Sequence, residues 1–231
     1  MRSSPRIVLV ETTDSGNIGA TARAMKTMGL NTLVLVNPKA TIDQKAMARA
    51  SGASDILENA LFFSNLKDAI APCERVFGTS ARVRELSSEL VTPREAWDHF
   101  SLTEETAIVF GREHAGLTNE ELQHCHFHIE IPTNPTFSSL NLAASVQVIA
   151  YEFMQARKQK NPSHKEESLP TQNDLESFYQ HLESTLIAID FLDPTKPKRL
   201  MPRLRRFFSR SLIEKSELAI FRGVLKKIKK E

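Results

Sequence analysis

Short apolar runs alternate with helical spacings along the first 155 residues. Ile7–Val10, Thr32–Val36, Arg75–Gly78, Ala107–Phe110 and Phe127–Ile131 read as strands, and most of them are apolar at successive positions. A strand with one wet face would alternate polar and apolar residues, so runs apolar on both faces suit a buried parallel sheet. Between the strands, Asn17–Met28 places Ile18, Ala22 and Met25 at helical spacing, and Gly29 follows as a C-terminal stop. Thr118-Asn-Glu-Glu121 has the capping-box pattern of another short helix, and Asn141 to Gln159 reads as the last helix of this unit. The alternation predicts an α/β fold with helices on both faces of a parallel sheet.

The pattern changes after Gln159. Gln-Lys-Asn-Pro-Ser-His-Lys-Glu-Glu-Ser-Leu-Pro, ending at Pro170, has little to bury and reads as a linker. Leu175, Phe178, Leu182, Leu186 and Ile189 then recur every three or four residues, and Arg203–Arg210 and Glu217–Lys230 look like two further helices. The predicted organisation is a domain over 1–158, a linker over 159–172 and a small helical module over 173–231.

Charge sharpens that division. The net charge of +2 hides a basic end: residues 196–231 carry 13 Lys or Arg against three Glu, which leaves residues 1–195 with 17 basic and 25 acidic side chains. A segment of net charge +10 on a body of −8 suggests contact with a polyanion, because lysine and arginine release counterions from phosphates; the alternative is a solvated basic helix. Cys73 and Cys125 are too few and too far apart for a disulfide framework or a four-cysteine metal site. No signal-like h-region or membrane-spanning run stands out, which predicts a soluble cytoplasmic protein with no membrane partner.

Four stretches could carry chemistry. Asp14-Ser-Gly-Asn-Ile-Gly-Ala-Thr-Ala-Arg23 follows a strand and enters a helix, where glycines allow close backbone approach and the helix end favours an anion. It has Gly16 and Gly19 but lacks the third glycine of a dinucleotide fingerprint, and Arg23 alone could be a surface ion-pair partner. Val76-Phe-Gly-Thr-Ser-Ala-Arg82 and Val109-Phe-Gly-Arg-Glu-His-Ala-Gly-Leu117 each end a strand with glycine and small or polar residues, as a ligand site or a simple βα turn would. The fourth, Ile131-Pro-Thr-Asn-Pro-Thr-Phe-Ser-Ser-Leu-Asn-Leu142, brings Ser138, Ser139 and Asn141 to the threshold of an apolar helix, where they could cap it or grip a polar ligand.

In order and spacing these stretches resemble the motifs of the SPOUT 2′-O-methyltransferases. Asn17, Gly19 and Arg23 resemble the first motif, Phe110-Gly-Arg-Glu113 with Gly116-Leu117 the second, and Ile131-Pro132 through Ser139-Leu-Asn-Leu142 the third. A closer likeness to a tRNA-modifying branch rests on Val10-Glu-Thr12, Ala22–Leu30, Leu35-Val-Asn-Pro38, Gly52-Ala-Ser-Asp55, Gly78–Arg82 and the Leu204-Arg-Arg-Phe region, and it covers essentially the whole chain.

The resemblance implies a deep trefoil knot toward the C-terminal end of the α/β domain, with S-adenosyl-L-methionine bent into it. It implies cofactor contacts at Thr79, Ser80, Ala81, Gly111, Ile131, Ser138, Ser139 and Leu140, and catalytic roles for Asn17, Arg23, Glu113, Ser139 and Asn141. It also implies a homodimer with sites at the subunit interface, and a tRNA substrate methylated on the ribose of nucleotide 32, a cytidine or uridine. A guanidinium stays protonated, so Arg23 suits holding a phosphate and easing a developing alkoxide better than acting as a base.

His124-Cys-His-Phe-His128 invites a metal reading, but alternate strand positions put only two ligands on one face and no second cluster lies nearby, so no metal is expected. Two rival readings stay open on the residues alone. One is an NAD-dependent oxidoreductase on a Rossmann sheet, and the other is an RNA chaperone or resistance protein that keeps the fold for binding.

Overall fold

The structure, a computed structural model, describes residues 4–80, 89–100, 104–159 and 169–228. Its strands are β1 (Arg6–Val10), β2 (Leu33–Val36), β3 (Leu61–Phe63), β4 (Arg75–Thr79), β5 (Glu89–Val91), β6 (Thr106–Phe110) and β7 (Phe127–Ile129). The helices of the α/β part are α1 (Ser15–Thr27), α2 (Gln44–Ala50), α3 (Ser54–Glu58), α4 (Leu66–Ile70), α5 (Asn119–Leu122) and α6 (Leu142–Gln159), with a 3-10 turn at Glu95–Trp97. The C-terminal part holds α7 (Gln172–Ala188), α8 (Leu200–Ser211) and α9 (Lys215–Ile228).

The strands form one sheet in the order β3-β2-β1-β6-β4-β7-β5, and each pairing is parallel. The period of two along each strand divides the apolar residues between two cores. Ile7, Leu9, Leu33, Leu35, Ile108 and Phe110 face one side, where they meet Ile18, Ala22 and Met25 of α1 and Val146, Ile149 and Phe153 of α6. Val8, Val10, Val34, Val36 and Val109 face the other, packed with Leu66 and Ile70 of α4 and Leu122 of α5. Bulky side chains therefore serve the face under the long helices and valines the face under the short ones. The glycine of α1 at position 19 belongs to this packing, since a Cβ there would run into the Ala46 carbonyl of α2.

The five strands and the longer helices expected from the pattern are all present. Two short edge strands, β3 and β5, were not expected, because three-residue strands carry no readable alternation and Leu61, Phe62, Glu89 and Leu90 stay exposed. The run at Phe127 stops as a strand at Ile129, two residues before the expected end, although the Glu130 N–H still reaches the Val91 carbonyl at 2.9 Å. Helix α8 starts three residues earlier than expected, with Pro202 in its first turn, where a missing N–H is harmless.

In the sheet β7 lies between β4 and β5, so the expected knot depends on the course of the connection from β4 to β5. That connection includes residues 81–88, which lie outside the described residues, as do Ala81 and Arg82. Most of the expected linker, residues 160–168, lies outside them too.

Helices α7, α8 and α9 enclose their own core of Leu175, Phe178, Tyr179, Phe208, Ile213, Leu218 and Leu225. They meet the sheet domain where the Gln172 and Asn173 N–H groups donate to the Cys73 and Ala71 carbonyls at 2.7 and 3.1 Å. Among the described residues, no helix is long and apolar enough to cross a membrane.

Candidate active site

The carboxyl ends of β1, β6, β4 and β7 point to one edge of the sheet, where open parallel sheets place their ligands. A cavity of about 430 Å³ opens there, within the range of small-molecule sites. Its walls come from separate segments: Thr79 and Ser80 at the end of β4, Phe110 to Leu117 from the end of β6 onward, Ile129 and Ile131 around the end of β7, and Ser138 to Leu142 at the entry to α6. Asn17 of α1 and Ser145 of α6 close the mouth.

The loop after β6 is folded tightly on itself. Arg112 and Gly116 exchange backbone hydrogen bonds at 3.2 and 2.8 Å, and a Cβ on Gly111 would strike the Gly116 and Leu117 backbone. Gly116 sits at φ +66°, a left-handed conformation glycine adopts without penalty. The Arg112 side chain then clamps the loop from outside, donating through Nε to Glu11 at 2.7 Å and through both terminal nitrogens to Glu121 at 2.9 and 3.0 Å. Glu121 is at the same time the reciprocal partner of Thr118 in the capping box of α5. The clamp thus joins the end of β1, the loop and the start of α5.

Held in this way, Glu113 turns back toward α1. Its carboxylate accepts from the Thr13 N–H at 3.2 Å, the Thr13 hydroxyl at 3.1 Å, the Asp14 N–H at 3.4 Å and the Asn17 amide at 3.1 Å. Burial works against its charge, but its own backbone N–H, Asn17 and Thr13 prevail and hold its pKa below the usual glutamate value. It is an anion that orients donors rather than a proton donor near neutral pH.

Asn17 passes the order on. With its amide nitrogen on Glu113, its oxygen accepts from the Asn141 amide at 2.9 Å, and the Asn141 oxygen caps α6 through the Ala143 and Ala144 N–H groups. Glu113, Asn17 and Asn141 therefore form one hydrogen-bonded line across three segments far apart in sequence. Each amide has only one orientation that satisfies its neighbours.

Of the other expected residues, Thr79, Ser80, Gly111, Ile131, Ser138, Ser139 and Leu140 all line the cavity. Thr79 donates its hydroxyl to the Val109 carbonyl at 3.1 Å, and the Ser80 N–H donates to the Ile129 carbonyl at 3.0 Å, which pins this wall to the sheet. Arg23 does not join them. It lies exposed on α1, outside the cavity lining, and its side chain makes no hydrogen bond or ion pair with any described residue. Six positions along a helix carry it about 240° around the axis from Asn17, so the two cannot share a face.

Sequence reasoning missed the anchoring roles of Thr13, Arg112, Glu11 and Glu121. Arg112 and Glu11 stood inside recognised stretches, but a clamp between residues a hundred positions apart leaves no local spacing to read. Ser145 could have been found, since it follows Asn141 by one helical turn and its hydroxyl donates to the Asn141 carbonyl at 3.1 Å. The His124–His128 stretch is structural: the buried His126 Nδ1 accepts the Val76 N–H at 3.0 Å, and His128 Nε2 lies 3.3 Å from the Leu122 carbonyl.

A compact parallel sheet, a cavity built from these three motif loops and an asparagine–carboxylate line at its mouth define a SpoU-type methylase. Residues 4–151 match the SpoU rRNA Methylase family, and the chain belongs to that family. Within it the likeness is to TrmJ: residues 173–231 match the C-terminal domain of the tRNA methyltransferase of that name.

A tRNA (cytidine/uridine/adenosine-2′-O-)-methyltransferase TrmJ of Pseudomonas aeruginosa (strain UCBPP-PA14) is 50% identical over 240 residues, spanning 97% of this chain and 93% of its own length. The crystal structure of TrmJ from Z. mobilis ZM4 superposes with a TM-score of 0.85 at 31% identity, covering 98% of this chain and all of that one. The SpoU methyltransferase AviRb of Streptomyces viridochromogenes, solved with the cofactor AdoMet, shares the fold at a TM-score of 0.58 and 21% identity over 70% of this chain and 60% of its own.

Proposed function

We propose that this protein methylates the 2′-hydroxyl of a tRNA ribose, using S-adenosyl-L-methionine as donor, at cytidine or uridine 32 of the anticodon loop. The observation that carries the reading is the Glu113–Asn17–Asn141 line at the mouth of a slot whose walls are backbone, small hydroxyls and apolar side chains. Such a slot fits the donor. Phe110, Leu117, Ile131 and Leu142 offer apolar walls for a planar base, and Thr79, Ser80, Ser138 and Ser139 offer hydroxyls and main-chain groups for its polar edges. Bound there, the donor supplies a sulfonium methyl carbon open to attack.

The rest is alignment by the protein. Asn141 and Ser139 receive the ribose, and the ordered amide line fixes Asn141 before substrate arrives. Such preorganisation lowers the barrier of a bimolecular displacement by about 7–11 kcal/mol in the best cases. Arg23 projects away from the slot of its own chain, so a second copy of the chain supplies it in a homodimer. There it holds a substrate phosphate and stabilises the oxygen as its proton leaves to that phosphate or a neighbouring polar group. The helical module over 173–231, joined by the linker over 159–172, adds tRNA and dimer contacts, and the enzyme works in the cytoplasm where tRNA is found.

The test is transfer of labelled methyl from S-adenosyl-L-methionine to unmodified tRNA transcripts, with ribose methylation mapped in tRNA from cells with and without the protein. Label confined to the ribose of nucleotide 32 is expected. No label on any ribose would overturn the activity, and label at another position would overturn the site.

A further inference from the structure

We infer that one face of α8 is an RNA-docking stripe in which Arg203, Arg206 and Arg210 grip successive phosphates and Phe207 stacks on a nucleobase. The inference rests on the reading of tRNA as substrate and deepens it by naming the surface and the division of labour within it.

The helix gives its arginines different work. Arg205 points inward, donating to both oxygens of Glu176 at 2.8 and 2.9 Å and lying 4.4 Å over the Tyr179 ring. It belongs to the module's own architecture. Arg203, Arg206 and Arg210 are exposed and make no ion pair with any described residue. At 100° per residue they fall within about 60° of one another around the axis, and Arg203 and Arg210 are separated by about 10 Å along it. Arg199, the N-cap residue, extends the same line.

A row of like charges three and four residues apart weakens a helix, and positive charge near its N-terminus adds to the strain. The fold itself therefore gains nothing from this face. A polyanion running along the helix would reverse the sign of each of those interactions.

Phe207 lies on the edge of the stripe and is 53% exposed, whereas its neighbour Phe208 is 7% exposed and sits in the module core against Phe178 and Phe221. The Phe207 ring rests edge-on against Phe208 at 5.3 Å between centroids, which limits its freedom and leaves a face open. Aromatic rings beside arginines form the usual platform for unstacked bases of single-stranded RNA, and the loops of a folded tRNA provide such bases. A second copy of the chain is the other polyanionic candidate, since its body carries −8, but a stacking ring among guanidiniums favours a nucleic acid.

Charge and stacking leave separate signatures in binding of the full-length protein to an unmodified tRNA transcript across a salt series. Arg203→Ala/Arg206→Ala/Arg210→Ala should reduce the slope of log affinity against log salt by about 2–3, close to one per phosphate contact. Phe207→Ala should leave the slope unchanged and weaken binding about tenfold or more, and Phe207→Trp should restore it. Arg205→Ala is the control for a module that has merely loosened. Thermal melting should show the triple variant as stable as the parent or slightly more so.

An unchanged slope in the triple variant overturns the stripe. So does an altered oligomeric mass with an unchanged slope, which would assign the face to a second copy. The two readings fail separately: parent protein that binds tRNA with a stripe-dependent slope but methylates nothing sinks the activity alone, and parent that methylates with a stripe-independent slope sinks the stripe alone.

Discussion

Arg112 and the arginines of α8 carry the same guanidinium into opposite surroundings. Arg112 has two carboxylate partners, and its side chain is 24% exposed. Its neighbour Glu113 accepts from Thr13, Asp14 and Asn17, so the polar groups at the cavity mouth are already answered from within the chain. Arg203, Arg206 and Arg210 have no such answer among the described residues. Closed networks fix geometry before a ligand arrives, while open charges supply affinity when it does. Substitution in the first region should therefore change rate and stability, and in the second it should change affinity alone.

The residue that breaks this division most sharply is Arg23, which is open like the α8 stripe yet is expected to act in catalysis. Arg23→Ala should lower kcat by about 10²–10³-fold or more, as loss of a donor to a developing anion does, with donor binding by calorimetry unchanged. Mixing the inactive Arg23→Ala and Glu113→Ala proteins and allowing subunits of the proposed dimer to exchange should return about a quarter of the parent activity, because each hybrid would have one complete site. Silence in the mixture would place both residues in the same chain's site and refute the shared arrangement.

A smaller effect concerns a group closed inside the fold. His126 is held to a pKa of about 4, first by burial and then by the positive charge of Arg75, and its Nδ1 must be unprotonated to accept the Val76 N–H. Its folded pKa lies below the ordinary histidine value near 6.5, so the unfolded chain binds the extra proton first as pH falls. The stability it contributes is complete above about pH 6.5 and is lost between about 6.5 and 4, amounting to about 3 kcal/mol. His126→Asn keeps an acceptor for Val76 without the titration. The difference between parent and variant melting temperatures should then shrink steadily from pH 6.5 to pH 4, and a difference independent of pH would contradict the assignment.

The same contrast explains what could be read from the chain. The five main strands were legible because a sheet buried on both faces needs unbroken apolar runs, and Ile7–Val10 can be little else. The cavity walls were legible because strand ends with glycine and small residues recur in order. Arg23 was legible as a site residue only through the motif it completes, although its six-residue spacing from Asn17 already turns it to another face of α1. The clamp of Arg112 by Glu11 and Glu121 was hidden, because it exists only once β1 and β6 pair. The open face of α8 was visible as charge but not as a stripe, since the pairing of Arg205 with Glu176 had to be known before the other three could be set apart from it.

The finest test of the contrast compares Arg112 with that stripe directly. Arg112→Met keeps the length and apolar stem but removes the cation that joins Glu11 to Glu121, leaving Glu11 paired with Lys39 at 3.5 Å. Glu11 already sits at φ +49°, a conformation uncommon for a residue with a side chain, so the end of β1 depends on the clamp to hold its course. The loop should relax, Glu113 should lose its alignment with Asn17, and kcat should fall about 10- to 100-fold while the KM for tRNA changes little. Melting temperature should fall with it, for a loss of about 1–2 kcal/mol. Arg112→Lys restores the charge without the forked geometry and should recover stability more than rate, because a point charge neutralises two carboxylates but cannot orient them. In the α8 triple variant the pattern should be reversed, with kcat at saturating tRNA and melting temperature kept and only the salt-dependent affinity lost. Equal falls in stability in the two variants would mean that the α8 arginines are part of the fold after all.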